Sequence, residues 1–254
     1  MGDNTIIRVD HLTAGYGDTV ILDDVSFDVR PGEVFVVLGG SGCGKSTLLK
    51  HVIGLRPPLS GQVLIGGDDI VSATGPQRRA ILRRFGVTYQ SGALFGSMTL
   101  LENIRLPLEE FTDLPDAAMN LMARMKLSLV GLSGFEEHMP SELSGGMRKR
   151  AALARAMALD PSILFLDEPS AGLDPVTSAG LDRLILDLRD GLGMTFVVVT
   201  HELPSIYTIA DRVIMLDKRT RGIVAEGRPA DLRDHSDNPW VRQFFNREAE
   251  NESR

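Results

Sequence analysis

Val34-Phe35-Val36-Val37-Leu38-Gly39-Gly40-Ser41-Gly42-Cys43-Gly44-Lys45-Ser46-Thr47 joins a strand pattern to a helix pattern through a glycine-rich turn. It opens on a near-continuous apolar run, the pattern of a strand buried on both faces. From Gly39 it fits G-x-x-x-x-G-K-[ST], and the helical pattern Leu48 to Ile53 follows directly. Glycines at such a strand-to-helix junction let backbone N–H groups curl around phosphates, while Lys45 supplies a point charge and Ser46 a hydroxyl for Mg2+. Gly39, Gly40, Ser41, Gly42, Cys43, Gly44, Lys45, Ser46 and Thr47 together form a candidate nucleotide-binding loop. With Lys45 and a helix N-terminus beside it, the Cys43 thiol is expected to titrate low and to be alkylated until nucleotide covers it.

Outward from this loop, short apolar runs alternate with longer stretches of helical period, so the class is α/β. Val25 to Val29 alternates with period two; Ile163 to Leu166 and Thr195 to Thr200 read as buried strands, and Val213 to Leu216 with Gly222 to Ala225 as a closing pair. Helices are expected after Gly44, Gly145, Pro175 and Leu203. Between Gln90 and Pro140 the texture becomes helical, with a capping box at Thr99 to Glu102 and apolar residues at helical spacing from Asp116 to Val130.

The chain has 254 residues, 43% hydrophobic and 24% charged, which supports a large core and excludes general disorder. Its 27 basic and 34 acidic residues give a net charge of -7, the wrong sign for a dedicated nucleic-acid binder, and no nucleic-acid partner is expected. One cysteine excludes an internal disulfide and a paired-cysteine zinc site. The apolar runs are far shorter than the roughly 18 residues that span a bilayer. Met1 to Asn4 does not begin a secretory leader, so a cytoplasmic location is expected, with any membrane association through a partner. Asn246 to Arg254 reads as a polar, frayed tail.

Two further segments carry chemistry. Ile163-Leu164-Phe165-Leu166-Asp167-Glu168 sets two carboxylates at a strand end, where adjacent side chains point apart and take different roles: Asp167 on Mg2+, Glu168 on an attacking water. Leu143-Ser144-Gly145-Gly146-Met147 opens an Ala-rich helix behind a small hydroxyl residue, a second candidate anion site.

In this order the phosphate loop, the LSGG segment and the Asp-Glu strand resemble an ATP-binding-cassette (ABC) ATPase over nearly the whole chain. The resemblance implies a P-loop NTPase fold: a RecA-like core, an N-terminal antiparallel β subdomain and an inserted α-helical subdomain. It places an ATPase domain at 1–235, with the helical insert at about 91–150, and a C-terminal helix and tail at 236–254. It also implies roles. Tyr16 stacks on adenine, Gln90 senses Mg2+ and couples to a membrane partner, and His201 contacts the γ-phosphate. Asp174 lies in the D-loop and is positioned to cap the helix starting at Pro175. Glu168, His201 and Gln90 are the implied catalytic residues, Ser46, Gln90 and Asp167 the metal ligands, and ATP and Mg2+ the cofactors. Ser144, Gly145, Gly146 and Asp174 are further implied nucleotide-binding residues; Ser144 and Gly146 would face the γ-phosphate bound by a second copy, so hydrolysis requires a dimer. His11, His51, His138 and His235 lack such context and read as surface or structural.

The short interval between Gln90 and Ser144 excludes the long coiled-coil insertions of chromosome-maintenance relatives. Met147 after LSGG, the loop Gln90-Ser91-Gly92-Ala93-Leu94-Phe95 and the ending Val241-Arg242-Gln243-Phe244-Phe245-Asn246 resemble the ATPases of Mla/MCE lipid-transport systems. That implies an ATPase subunit peripheral on the cytoplasmic face of a bacterial inner membrane. Its implied partners are an integral-membrane permease, an MCE-domain protein and, in some systems, a STAS-domain subunit. A small-solute importer ATPase and a non-transport cassette acting as a mechanical switch are the alternatives. Two segments stay open: Gln77 to Arg84, with four arginines, is either a solvated helix face or a contact with permease or anionic lipid. Pro239 to Phe245, with an apolar stripe, docks either on its own domain or on another subunit.

Overall fold

The computed structural model describes residues 5–247, so the expectations for Met1 to Asn4 and for the tail beyond residue 247 lie outside the described residues. The chain divides into two compact units, Met1–Ala73 with Val197–Arg254, and Thr74–Phe196.

The first unit opens on β1 (Ile7–Tyr16) and β2 (Thr19–Val29), an antiparallel hairpin in which buried residues recur at alternate positions, so one face of each strand is covered. β3 (Val34–Gly39) is buried along its whole length, as its unbroken apolar run requires, and α1 (Lys45–Val52) follows the glycine loop. β4 (Ser60–Ile65) pairs antiparallel with β1, and β5 (Asp68–Asp69) with β4, giving the order β2-β1-β4-β5.

The second unit contains α2 (Gly75–Leu82), β6 (Phe85–Thr88), α3 (Leu100–Phe111), α4 (Asp116–Leu129), α5 (Gly145–Ala156), β7 (Ile163–Asp167) and α6 (Pro175–Leu192). β6 and β7 pair in parallel, Phe85 opposite Ile163 and Thr88 opposite Leu166, and the Phe85 and Phe165 rings meet edge to face at 5.3 Å. The expected capping box starts α3: Glu102 N–H donates to Thr99 Oγ1 at 3.2 Å and Thr99 N–H to Glu102 Oε2 at 2.7 Å. Leu100, Ile104 and Leu108 of α3, Ala123 and Leu127 of α4 and Ala151 and Ala154 of α5 are fully buried, so the three helices share one apolar core. In α2, Arg79 donates to the Glu110 carbonyl and its guanidinium lies 5.2 Å from the Phe111 ring centre, so one of the four arginines is held within its own unit.

β8 (Thr195–Val199) returns the chain to the first unit, followed by α7 (Leu203–Ile209), β9 (Arg212–Asp217), β10 (Gly222–Gly227), α8 (Pro229–His235) and α9 (Pro239–Asn246). β3 lies between β8 and β9, parallel to β9, and β10 closes the edge antiparallel to β9 as the sequence predicts. Arg212 joins these layers, reaching Glu33 at 2.7 Å, Asp28 at 3.3 Å and Glu226 at 2.5 Å. Burial opposes its charge, but the three carboxylates outweigh burial and raise its pKa further. The stripe on α9 docks on its own unit: Val241 and Phe245 are buried, and Tyr207 Oη donates to the Phe245 carbonyl at 3.0 Å. The α/β class, the antiparallel N-terminal sheet and the helical region match the expected architecture, and α1, α5, α6 and α7 begin where the sequence places them.

Candidate functional site

In the first unit, β3 delivers the chain to Gly39, whose φ of 148° and packing against the Leu216 carbonyl exclude a side chain, since a Cβ there would stand 2.6 Å from Cys43 Sγ. The cap of α1 is Gly44, which offers no side-chain acceptor, so the first-turn N–H groups are not capped by a side chain. Lys45 Nζ bridges the carbonyls of Gly39 at 2.9 Å and Gly40 at 3.2 Å, lying across the loop it serves. A glycine cradle, an uncapped helix start and an ammonium folded over them fit a polyphosphate.

Tyr16 stands beside this loop, its phenol oxygen 3.4 Å from Thr47 Oγ1, and the Arg56 guanidinium lies 4.8 Å from its ring centre. His51, one turn after Thr47, is buried with Nδ1 2.8 Å from the Thr47 carbonyl, the structural role expected of it. His201 follows β8 in an exposed position, its Nε2 3.7 Å from Glu202 Oε1. A cavity of about 290 Å³ adjoins the loop, lined by Gly40, Ser41, Cys43, Asp217, Lys218 and Trp240, among others. The expectation for Cys43 is corrected here. The residue is 2% exposed, and burial pushes its thiol above the usual cysteine range, more strongly than Lys45 pulls it down. Positive neighbours were legible in the sequence, whereas the burial that outweighs them was not.

In the second unit, β7 ends at Asp167, and Glu168 takes a left-handed backbone with φ 48°, a strained state for a non-glycine residue. Gln90 follows the end of β6, exposed. Ser144 caps α5, its Oγ accepting from Met147 N–H at 3.3 Å, while Gly145 and Gly146 form the first turn. Gly146 is required by packing as well, because a Cβ there would collide with Thr177 Cγ2 of α6. Asp174 caps α6 as predicted, accepting from the N–H groups of Val176 and Thr177 at 3.0 Å each and from Thr177 Oγ1 at 2.5 Å. Those bonds, the Thr177 hydroxyl first, hold its carboxyl below the ordinary aspartate range.

Three residues that sequence reasoning missed organise the loop after β6. Asn103, fully buried, accepts from Phe95 N–H at 2.8 Å and donates to the carbonyls of Phe95, Met98 and Thr99 at 2.9–3.1 Å. Arg155 donates to the Ala93 and Gly92 carbonyls at 2.7 and 3.2 Å. Lys149 donates to the carbonyls of Gln90 at 2.6 Å and Glu168 at 3.1 Å; burial pulls its ammonium below the usual lysine range, against Glu168 and Asp167, which hold it up. The Tyr89 phenol is raised, by burial first and then by Asp167. Among the described residues no helix is long and apolar enough to cross a membrane.

Residues 22–171 match the family model described as ABC transporter. The chain is 45% identical over 240 residues to the "Probable ribonucleotide transport ATP-binding protein mkl" of Mycobacterium leprae (strain TN), covering 94% of this chain and 68% of that protein. It is 42% identical over 230 residues to the "Intermembrane phospholipid transport system ATP-binding protein MlaF" of Escherichia coli (strain K12), covering 90% of this chain and 84% of that protein. Among solved structures, the ATP-binding cassette MJ0796, dimeric in a post-hydrolysis state with ADP and Pi, superposes with a TM-score of 0.78 at 29% identity, covering 87% of this chain and 98% of that one.

Proposed function

The chain belongs to the ABC transporter family as an ATP-binding subunit, and from that premise we propose that it powers a phospholipid-transport system of the bacterial envelope. It is an ATPase that works on ATP with Mg2+. Its ATPase domain spans 1–235, with a helical insert at about 91–150, followed by a C-terminal helix and tail at 236–254.

Roles follow the motifs. The N–H groups of the glycine loop, Gly39 to Gly44, and Lys45 bind the phosphates, with Thr47 behind them, and the Tyr16 ring receives the base. Ser46, Asp167 and Gln90 are the residues that would hold Mg2+, which would neutralise charge on the phosphates. Glu168 accepts a proton from the attacking water, and His201 donates toward the terminal phosphate. Ser144, Gly145, Gly146 and Asp174 serve the nucleotide of a second copy, so the working state is a homodimer. That dimer sits beneath an integral-membrane permease at the cytoplasmic face of the inner membrane, with an MCE-domain protein and a STAS-domain subunit as further partners.

What supports the lipid reading is the extent of the likeness to the phospholipid-transport ATPase, together with Met147 and the Gln90 to Phe95 loop. The name carried by the mycobacterial relative favours a second reading, ribonucleotide transport, although this chain spans only about two thirds of that protein. Purification of the native complex in detergent and reconstitution into vesicles separates them. Phospholipid is expected to co-purify and to stimulate ATP hydrolysis, and Glu168→Gln to abolish turnover while retaining ATP. Stimulation by ribonucleotides and not by phospholipid would transfer the assignment to the second reading.

A further inference from the structure

The helix α5, whose first turn is the LSGG segment, carries two cations that reach the backbone of other motifs. Lys149 donates to the carbonyls of Gln90 and Glu168, and Arg155 to those of Gly92 and Ala93. The Glu168 and Ala93 carbonyls belong to non-glycine residues with left-handed backbone, φ 48° and 49°. Such a backbone state is strained in a non-glycine residue and persists only where its surroundings fix it. At Glu168 the fixing contacts include the Ala171 N–H, 3.2 Å from the carbonyl, and the Lys149 ammonium. A lysine suits this position because its three donors rotate independently, so one ammonium can serve two carbonyls on separate segments.

We propose that Lys149 is a positioning residue for hydrolysis: its ammonium holds the strained backbone that aims the Glu168 carboxylate and ties the Gln90 loop to the helix that starts at Ser144. Among the described residues it donates to main-chain carbonyls alone, and it acts through Glu168 and Gln90. The proposal rests on Glu168 being the base.

Lys149→Met keeps the aliphatic stem and removes the donors, while Lys149→Arg keeps donors. Hydrogen exchange of the nucleotide-free protein is expected to quicken in Lys149→Met at amides 90–94 and at Ala171, with the rest of the unit unchanged, and to return toward wild type in Lys149→Arg. The same Met variant is expected to lose about 10- to 100-fold in kcat, with the affinity for a fluorescent ATP analogue within about twofold, and the Arg variant to recover most of the rate. Circular dichroism establishes folding, and Lys149→Gln replaces the Met variant if the latter does not fold. Unchanged exchange at both segments, or quickened exchange with an undiminished kcat, overturns the proposal. Full turnover by Glu168→Gln would instead remove the assignment of the base, a separate failure that leaves the exchange result standing.

Discussion

The phenol oxygen of Tyr16 lies 3.4 Å from the Thr47 hydroxyl, which fixes an aromatic ring beside the helix that follows the phosphate loop. Arg56 covers one face of that ring, so a base in the proposed nucleotide site would stack on the other. Loss of one base–aromatic stack costs about 1–3 kcal/mol, so Tyr16→Ala should weaken ATP binding by about tenfold or more. Tyr16→Phe should stay within about twofold, since stacking outweighs one long hydroxyl contact. Calorimetric titration in a Glu168→Gln background reads both, and equal affinities for the Ala and Phe variants would remove Tyr16 from the base site.

Asn103 is the most heavily committed buried amide of the second unit, with bonds to Phe95, Met98 and Thr99. Asn103→Ala strands several of these main-chain groups and should destabilise the unit by about 3 kcal/mol. Asn103→Asp should be no better, because it turns a carboxylate toward three carbonyls. Differential scanning calorimetry checks this; a melting temperature within about 1 °C of wild type would contradict it.

Alkylation of Cys43 should be slow at pH 7 because burial keeps the thiol protonated and covered. The rate should climb roughly tenfold per pH unit into the alkaline range, following the thiolate fraction, and fall when Mg-ATP is added. Mass-spectrometric labelling across pH 6.5–9.5 tests this, and a rate that levels off near neutrality would show that Lys45 prevails over burial.

Asp174 gives a pH dependence of definite sign. Its folded pKa lies below the ordinary value, so its stabilising contribution is fully present above about pH 3.9, the unfolded value, and is lost as pH falls through the folded one. The gap in urea midpoint between wild type and Asp174→Ala should therefore be flat from pH 7 to about pH 5 and close in stronger acid. A gap that widens on acidification would be the wrong sign.

Where the determinants are local, the sequence reads truly. Thr99 with Glu102, Ser144, and Asp174 with Pro175 announce their helices because a cap is satisfied within a few residues. β1 resists reading because its register shifts between Val9 and Leu12, where His11 adopts φ 49°, and the two-residue period breaks. In the loop after β6, Lys149 and Arg155 find carbonyls 59 to 63 residues away along the chain, a pairing that no local pattern encodes.

The protein's one tryptophan lines the cavity beside the phosphate loop: a Cβ on Gly40 would lie 3.8 Å from Trp240 Cζ2. Its helix is fastened by Asn238, whose side chain accepts from Trp240 N–H at 3.0 Å, and by Tyr207 on the Phe245 carbonyl. An indole beside the proposed nucleotide loop has an optical consequence. Its emission is a built-in gauge, free of competing tryptophans, so the arrival and departure of nucleotide should register as changes in brightness and wavelength with no dye attached.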